Sequence, residues 1–399
     1  MKRLLIAGLY VPDTGLTNVL TALVGELRGA FSVRCLGLAP SDRDGEDDRT
    51  IMGCEARVRN IRARAFSADG RWLEREFTEH RPDAVLVIGP PILAAPLLKQ
   101  LQPWRGATRI VLYPPIEGSL ANDDFAHIME MADTCVTYTE ATRAEVVALF
   151  ERRGREREPR LAVVGHGVDP STFYPLPAPD ERTRRNAARR ALYQENLDDA
   201  FLVLNSNRPY LRKRLDLTIS GFGLFARDKP DAHLHLHTGV RSVQQDAELG
   251  EAIARTGVAG RIHLTPRDRG EPPRPADWLN TLYNACDAGL TTAMGEGWGL
   301  GLFEHAATRA ALIVPAHTGF VENWRGASLM VPAPGREFID YEAANMAVVS
   351  RDDVARALDR LYHDRALLAR LASAAFARAR EARYTWGHVG AQFARILAA

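Results

Sequence analysis

Glu296 and Glu304 bracket the segment Gly-Glu-Gly-Trp-Gly-Leu-Gly-Leu-Phe-Glu, which runs from Gly295 to Glu304. Between the two carboxylates stand Gly297, Gly299 and Gly301, and an apolar, helix-favouring run from Leu302 to Ala311 follows. Glycine lets a backbone approach a ligand closely and take conformations closed to other residues. A helix start behind such a loop presents unpaired N–H groups and the positive end of a dipole to an anion. The combination reads as a seat for a diphosphate, with a carboxylate on each side to accept hydrogen bonds from hydroxyls. A sugar or ribose joined to a diphosphate offers those groups together.

Arg208 and Lys213 supply the complementary charge. They follow the strand expected over Phe201 to Asn205, in the run Arg-Pro-Tyr-Leu-Arg-Lys, and so fall at its carboxyl edge. A diphosphate leaving group gains negative charge as its bond to the sugar breaks. Fixed cations stabilise that charge where it develops, and losing such a group typically costs on the order of 10²–10³ in rate. The competing reading is a solvated basic turn, since Arg212 and Arg214 stand in the same run. Gly15, in Tyr-Val-Pro-Asp-Thr-Gly-Leu-Thr, lies between a first strand and a helix. It either makes a tight turn or approaches the diphosphate.

These residues need a frame that delivers them to one edge. Short apolar runs alternate with longer amphipathic ones along the whole chain, the signature of parallel sheets with crossover helices. In the first half the strands are expected at Arg3 to Leu9, Ser32 to Leu38, Ala84 to Ile88, Arg109 to Leu112, Thr134 to Thr137 and Leu161 to Val164. In the second they are expected at Phe201 to Asn205, His233 to His237, Ile262 to Leu264, Ala288 to Thr291 and Leu312 to Pro315. Between the sets, Tyr174 to Asp199 opens Pro-rich and continues as an arginine-rich helix, a composition change that marks a domain boundary. The final segment from Asp352 reads as helices. The fold class is therefore α/β, with two Rossmann-like, doubly wound parallel-sheet domains expected to face one another across a cleft.

Size and composition agree. At 399 residues the chain exceeds the length at which single cores stop growing. A hydrophobic content of 46% and a charged content of 25% are those of an ordinary soluble protein. A net charge of +1 argues against stable nucleic-acid binding. Cys35, Cys54, Cys135 and Cys286 are scattered with no Cys-x-x-Cys pair, which suits a reducing cytoplasm and no structural zinc. The basic and apolar start at Met1 to Val11 stops at Pro12-Asp13 without a cleavage site, so it reads as a first strand. No apolar stretch approaches the roughly 20 residues that span a bilayer. The expected location is cytoplasmic, at most peripheral to a membrane.

The ordered combination resembles a known family. The Glu296/Glu304 segment, the Arg208/Lys213 pair, the run Gly-His-Gly-Val-Asp-Pro-Ser-Thr-Phe-Tyr-Pro from Gly165 to Pro175, and the ending Tyr-Thr-Trp-Gly-His from Tyr384 to His388 carry the resemblance. They are similar to the family-4 retaining glycosyltransferases of the GT-B fold. The resemblance covers most of the chain and is specific mainly in the second half. It implies an acceptor-side Rossmann-like domain over residues 1–175, a linker and helix over 176–199, a nucleotide-sugar-binding domain over 200–375, and a closing helix over 376–399 that crosses back to the first domain.

It also implies roles. Glu296 would hold hydroxyls of the donor sugar, with backbone N–H groups of Gly297, Trp298, Gly299 and Leu300. Glu304 would hold the ribose, while Arg208 and Lys213 would bind the diphosphate and assist its departure. Glu322, in Thr-Gly-Phe-Val-Glu, matches a further acidic position. Retention is described in such enzymes as a front-face displacement without a protein nucleophile, metal or cofactor. The chain departs from the family in having Thr14-Gly15 for a double glycine and Arg214 for a glycine after the lysine. Where relatives place a histidine, it has Tyr-Pro-Pro-Ile-Glu-Gly from Tyr113 to Gly118. There Glu117 either takes the histidine's place on the acceptor side, or the segment is only a cis-proline turn.

Other candidates read as structural. His233, His235 and His237 alternate on one strand and are expected to pack rather than bind zinc. Asp42-Arg43-Asp44 imitates the carboxylate pair of metal-dependent transferases but lies in a charged, turn-rich stretch, and Cys286 reads as core. The tracts Arg152 to Arg160 and Arg182 to Arg190 are solvated helix faces or a surface for an anionic acceptor or lipid interface. Thr265 to Pro275 either borders the base pocket or is a surface excursion. The favoured activity is transfer of a hexose from a nucleotide sugar (UDP-glucose or GDP-mannose among them) to an unidentified acceptor. A sugar-nucleotide epimerase and a non-catalytic nucleotide-sugar-binding module are the alternatives.

Overall fold

In the first strand Leu4, Leu5, Ile6 and Ala7 have no exposed surface, as a parallel strand covered by helices on both faces requires. The computed structural model describes residues 1–11, 14–40, 45–61, 71–120, 122–154, 158–239, 242–265, 274–339 and 344–399. The chain divides into two units, Met1–Gly167 with Ala382–Ala399, and Val168–Glu381.

The first unit begins β1 (Arg3–Leu9), α1 (Gly15–Leu27), β2 (Ser32–Pro40), β3 (Gly45–Ile51), β4 (Cys54–Ile61), α2 (Arg71–His80) and β5 (Ala84–Ile88). It continues α3 (Pro91–Leu101), β6 (Arg109–Tyr113), β7 (Ser119–Leu120), α4 (Asp124–Glu130), β8 (Thr134–Thr137), α5 (Glu140–Arg153) and β9 (Arg160–Val163). The second unit begins α6 (Glu181–Leu192), β10 (Phe201–Asn205), α7 (Leu215–Phe225), β11 (Ala232–Leu236), α8 (Val243–Ala254), β12 (Ile262–Leu264), α9 (Ala276–Ala285) and β13 (Ala288–Leu290). After these come α10 (Leu300–Ala306), β14 (Ala311–Pro315), α11 (Thr318–Trp324), β15 (Leu329–Val331), β16 (Gly335–Ile339), β17 (Ala344–Val348), α12 (Arg351–His363) and α13 (Arg365–Ala379). The closing helix α14 (Trp386–Ala398) belongs to the first unit.

In the first unit the strand order is β3-β4-β2-β1-β5-β6-β8-β9, parallel except for the antiparallel β3–β4 pair. The second unit orders its parallel strands β12-β11-β10-β13-β14-β15. Each sheet therefore grows first to one side and then to the other. The order reverses between β1 and β5 in the first unit, and between β10 and β13 in the second. Loops leaving the carboxyl ends at such a reversal open a crevice where α/β sheets bind ligands. The Gly15 loop leaves β1; the Arg208–Lys213 loop leaves β10, and the Glu296 loop leaves β13. In the first unit α14 packs on α1, where a Cβ at Gly390 would fall 2.5 Å from the Glu26 Cβ.

The apolar runs that the sequence marks as strands are strands, with ends shifted by two residues or fewer. The antiparallel pairs β3–β4 and β16–β17 escape the apolar-run criterion: β3 exposes Asp47, Asp48 and Arg49, and β16 exposes Arg336 and Glu337. On the first of them, among the described side chains, only Ile51, Ala56 and Val58 are buried hydrophobics. The helix expected from Leu302 to Ala311 instead begins at Leu300 and ends at Ala306. Arg309, at φ 67°, then turns the chain into β14.

The linker arginines correct their expected role as a solvated or anion-binding face. Arg184, Arg185 and Arg189 are buried. Arg189 donates to Asp287 at 2.7 Å and to the Ala285 carbonyl at 2.9 Å, fastening α6 to the sheet. The outward residues Arg182 and Arg190 pair with Asp199 and Asp198. In the other tract Arg152 donates to the Leu120 carbonyl at 2.8 Å, and residues 155–157 lie outside the described residues.

Candidate active site

Side by side in the second sheet, β10 and β13 pair Val203 with Ala288 and Leu204 with Gly289, so their carboxyl-end loops meet. A chain of buried hydroxyls joins them. Asn205 Nδ2 donates to Thr218 Oγ1 at 2.8 Å, and Thr218 lies 2.8 Å from Thr292 Oγ1. Thr292 in turn donates to the Arg214 carbonyl at 2.7 Å. A single direction of donation satisfies every hydroxyl in that chain. The Met294 amide adds a bond to the Arg212 carbonyl at 2.8 Å. Arg214 itself is left-handed at φ 47°, ψ 49°, a conformation that favours glycine. The turn at the family's glycine is thus kept, although an arginine occupies it.

Glu296 lies at the centre of the joined loops. Lys213 Nζ donates to Glu296 Oε2. Arg212 Nη1 stands 3.8 Å from the same oxygen and donates to the Gly295 carbonyl at 3.2 Å. The side chains are 8% exposed for Lys213, 13% for Arg212 and 19% for Glu296. Burial by itself would raise the carboxyl pKa, but Lys213 and Arg212 outweigh it and hold Glu296 below its ordinary value. His317 closes the site from α11. Its Nε2 is 3.0 Å from the Ala293 carbonyl and so carries the hydrogen, leaving Nδ1 to accept from Thr318 at 3.0 Å. Burial lowers the His317 pKa to about 4, so the ring is neutral at pH 7.

Glu304 occupies the far side of the glycine segment. Gly299, at φ 90°, makes the left-handed turn into α10, where Leu302 and Phe303 donate back to its carbonyl. At Gly301 a Cβ would lie 3.1 Å from Ser206 Oγ, so this glycine keeps the helix close to the β10 loop. Tyr283 donates its hydroxyl to Glu304 Oε2 at 2.9 Å, yet burial still lifts the Glu304 pKa to about 7. His305 stacks on the Tyr283 ring, with ring centroids 5.0 Å apart. The Trp298 ring is 6% exposed and stacks on Phe303 at 4.9 Å, so this side chain anchors the loop from below.

The remaining expected residues are more dispersed. Arg208 is half-buried at the start of the same β10 loop, where its carbonyl accepts from the Tyr210 amide at 2.8 Å. Glu322 is exposed on α11. In the first unit Gly15 is the exposed first residue of α1, capped by Thr14, whose hydroxyl accepts from the Thr17 amide at 3.1 Å. Gly15 is not among the residues of positive φ. Glu117 follows β6, half-buried; burial raises the Tyr138 phenol's pKa most, and the charge of Glu117 adds to the rise. No described peptide bond is cis, so the segment around Glu117 is not a cis-proline turn.

The alternating histidines of β11 and the following His237 bond to neighbouring side chains. His233 bonds His263 at 3.0 Å, His235 bonds Tyr193 at 2.6 Å and Thr265 at 2.8 Å, and His237 bonds Thr265 at 2.9 Å. Among the described residues no group of three or more His, Cys, Asp or Glu side chains is placed to hold a metal ion. Cys286 is buried core, with its thiol donating to the Leu282 carbonyl at 3.2 Å. Residues 42–44 and most of the loop from Thr265 to Pro275 lie outside the described residues. No described helix is long and apolar enough to cross a membrane.

Three residues of the site escaped the sequence reading. Arg212 looked like evidence for a solvated turn, although its place beside Lys213 was a usable signal. Tyr283 and His317 carry no local signal, because only the strand order brings α9 and α11 to the loop.

The chain is similar to known proteins in sequence and in fold. Residues 226–395 match the family described as glycosyl transferase-like. Mannosylfructose-phosphate synthase of Agrobacterium fabrum is 23% identical over 198 residues, covering 48% of this chain and 40% of that protein. D-inositol 3-phosphate glycosyltransferase of Geodermatophilus obscurus is 27% identical over 201 residues, 49% of this chain and 41% of that protein. The match thus spans about two-fifths of the length of these curated relatives. Among solved structures, sucrose-phosphate synthase of Thermosynechococcus elongatus superposes with a TM-score of 0.75 at 16% identity, covering 99% of this chain and 98% of the other. The HepE protein of Anabaena, solved with UDP and glucose, gives 0.73 at 14% identity and covers all of both chains. The fold is therefore the GT-B fold, two Rossmann-like units of parallel α/β sheet. In that fold, and over residues 226–395 in sequence, the chain is similar to glycosyltransferases.

Proposed function

We propose that the protein is a retaining hexosyltransferase that moves a hexose from a nucleoside-diphosphate sugar to an acceptor hydroxyl. The observation that carries this reading is the Lys213–Glu296 ion pair at the β10/β13 reversal, where a carboxylate for sugar hydroxyls and cations for phosphate stand together. UDP-glucose is the first donor to test, since the HepE structure holds UDP and glucose and another was solved with UDP-glucose. GDP-mannose is the second. Names of the relatives put sugar phosphates first among acceptors. A cytoplasmic location suits such substrates.

Glu296 accepts hydroxyls of the hexose, and Glu304 accepts those of the ribose. Lys213 and Arg208 meet the diphosphate, together with the Leu300 and Gly301 amides that open α10. In the transfer the bond from C1 to the β-phosphate oxygen breaks, with its electron pair leaving on the phosphate. The acceptor oxygen bonds C1 on the same face, and its proton passes to the departing phosphate. Charge develops on that phosphate, so fixed cations lower the barrier there and take the part a metal ion plays elsewhere.

A thermal-shift screen of UDP and GDP sugars tests donor binding without knowledge of the acceptor, since a ligand that binds only the folded state raises its stability. A shift with one nucleotide class identifies the donor. Transfer to a sugar-phosphate panel should then occur in the wild type and vanish in Glu296→Ala and Lys213→Ala. A sugar altered without any acceptor would point to an epimerase instead.

A further inference from the structure

We infer that Arg212 is a positioning residue that keeps Glu296 charged and in place when Lys213 turns to the donor's diphosphate. This rests on the donor reading above and assigns a residue which that reading leaves without a task.

Without donor, Lys213 is engaged by Glu296. A diphosphate arriving at the same ammonium competes for it with more negative charge than one carboxylate carries. If Lys213 were the carboxylate's sole counter-charge, that competition would leave Glu296 buried, under-compensated and facing an anion. Such a group neutralises by taking a proton. A protonated Glu296 would accept fewer hydroxyls, so phosphate binding would weaken sugar binding.

Arg212 removes the conflict. Its guanidinium is fixed by donation to the Gly295 carbonyl at 3.2 Å, one residue before the carboxylate it serves. It already stands 3.8 Å from Glu296 Oε2, and a rotation of the carboxylate closes that gap without backbone movement. Five N–H donors in a planar fork allow it to hold both the carbonyl and the carboxylate. Among the described residues His317, just before α11, also faces Glu296; it is neutral at pH 7 and committed to the Ala293 carbonyl. Arg212 is thus a cation placed to stay beside Glu296.

The test compares affinities for UDP and UDP-glucose by titration calorimetry from pH 5 to 8. The ratio of the two dissociation constants reports how well the hexose is held. In Arg212→Ala, UDP binding should stay within about threefold, whereas the ratio should fall roughly tenfold, the loss of one hydrogen bond to a charged group. That ratio should also fall further towards pH 5, because Glu296 without Arg212 protonates at higher pH, while the wild-type ratio stays flat. Arg212→Lys should recover most of it. Arg212→Gln, which keeps the stem, carries the same comparison if the alanine variant does not fold. Equal weakening of UDP and UDP-glucose would make Arg212 an ordinary phosphate ligand and overturn the inference. An unchanged ratio would overturn it too. A wild type that binds neither nucleotide would fail the donor reading itself, a result distinct from both.

Discussion

Tyr283 donates its hydroxyl to Glu304 at 2.9 Å, yet the carboxyl still titrates near pH 7. One neutral donor is too little for a half-buried carboxylate behind a glycine turn; a ribose offering two hydroxyls would supply what is missing. Hydrogen bonds to the ionised form lower a pKa, so nucleotide binding should expel a proton. At pH 7 about half a proton should be released per UDP bound, read as a dependence of the calorimetric enthalpy on buffer ionisation. Affinity should rise with pH up to about 7 and then level off. A flat profile would place the ribose elsewhere.

The same shift bears on stability, with the opposite sign. Glu304 has a folded pKa above its ordinary 4.5, so the folded state holds more protons between pH 4.5 and 7. Stability conferred by the raised value is present below 4.5 and is lost as pH rises through 7. Glu304→Gln should escape that loss and be more stable than wild type at pH 8 by about 1–3 kcal/mol, with little difference at pH 4.5. Urea unfolding at the two pH values measures it.

Lys213 and Glu296 should be mutually dependent. Lys213→Ala leaves a buried carboxylate with Arg212 alone, and we expect a loss of about 1–3 kcal/mol, below the range for a wholly unpaired charge. Removing both partners should cost less than the sum of the single changes. Additive losses in a double-mutant cycle would show that the pair contributes nothing to the fold.

Much of this architecture is legible in the sequence because parallel strands buried on both faces are apolar throughout. Phe201 to Asn205 and Ala84 to Ile88 could be bounded from composition alone. The β3–β4 pair could not, since its alternating Asp47, Asp48, Arg49 and Arg57 read as a charged loop. In the site, Glu296, Glu304 and Lys213 were visible through their neighbours in sequence. Their partners Tyr283 and His317 were not, because contacts between different loops depend on strand order. The buried arginines of α6 were misread for a related reason. Charge predicts exposure until a partner such as Asp287, about a hundred residues on, comes into reach.

Arg214 should tolerate glycine better than a β-branched residue. Its left-handed backbone costs about 1–2 kcal/mol relative to an ordinary conformation. Glycine relieves that cost but gives up the ion pairs to Asp216 and Glu337, exposed partners worth at most about 1 kcal/mol each. Arg214→Gly should therefore lie within about 1 kcal/mol of wild type. Arg214→Val should lose about 2 kcal/mol, since branching at Cβ aggravates the left-handed clash. Equal stability of the two variants would mean that the turn relaxes to an extended form.

Asp287 should be the most sensitive charged position outside the site. Its Oδ2 accepts from Arg189 at 2.7 Å and from the Leu202 amide at 2.8 Å, while Arg185 stands 3.4 Å from Oδ1. One carboxylate thereby joins α6 to the β10/β13 pair on which the site is built. Asp287→Ala strands Arg189, 2% exposed, with only carbonyl and amide partners. We expect a loss of about 2–4 kcal/mol in urea unfolding. Because a charge left alone is the cause, adding Arg189→Met should return part of that loss, an apolar stem replacing a stranded guanidinium. If the double variant is less stable than Asp287→Ala, the arginine holds α6 through its carbonyl bonds, and the carboxylate is secondary.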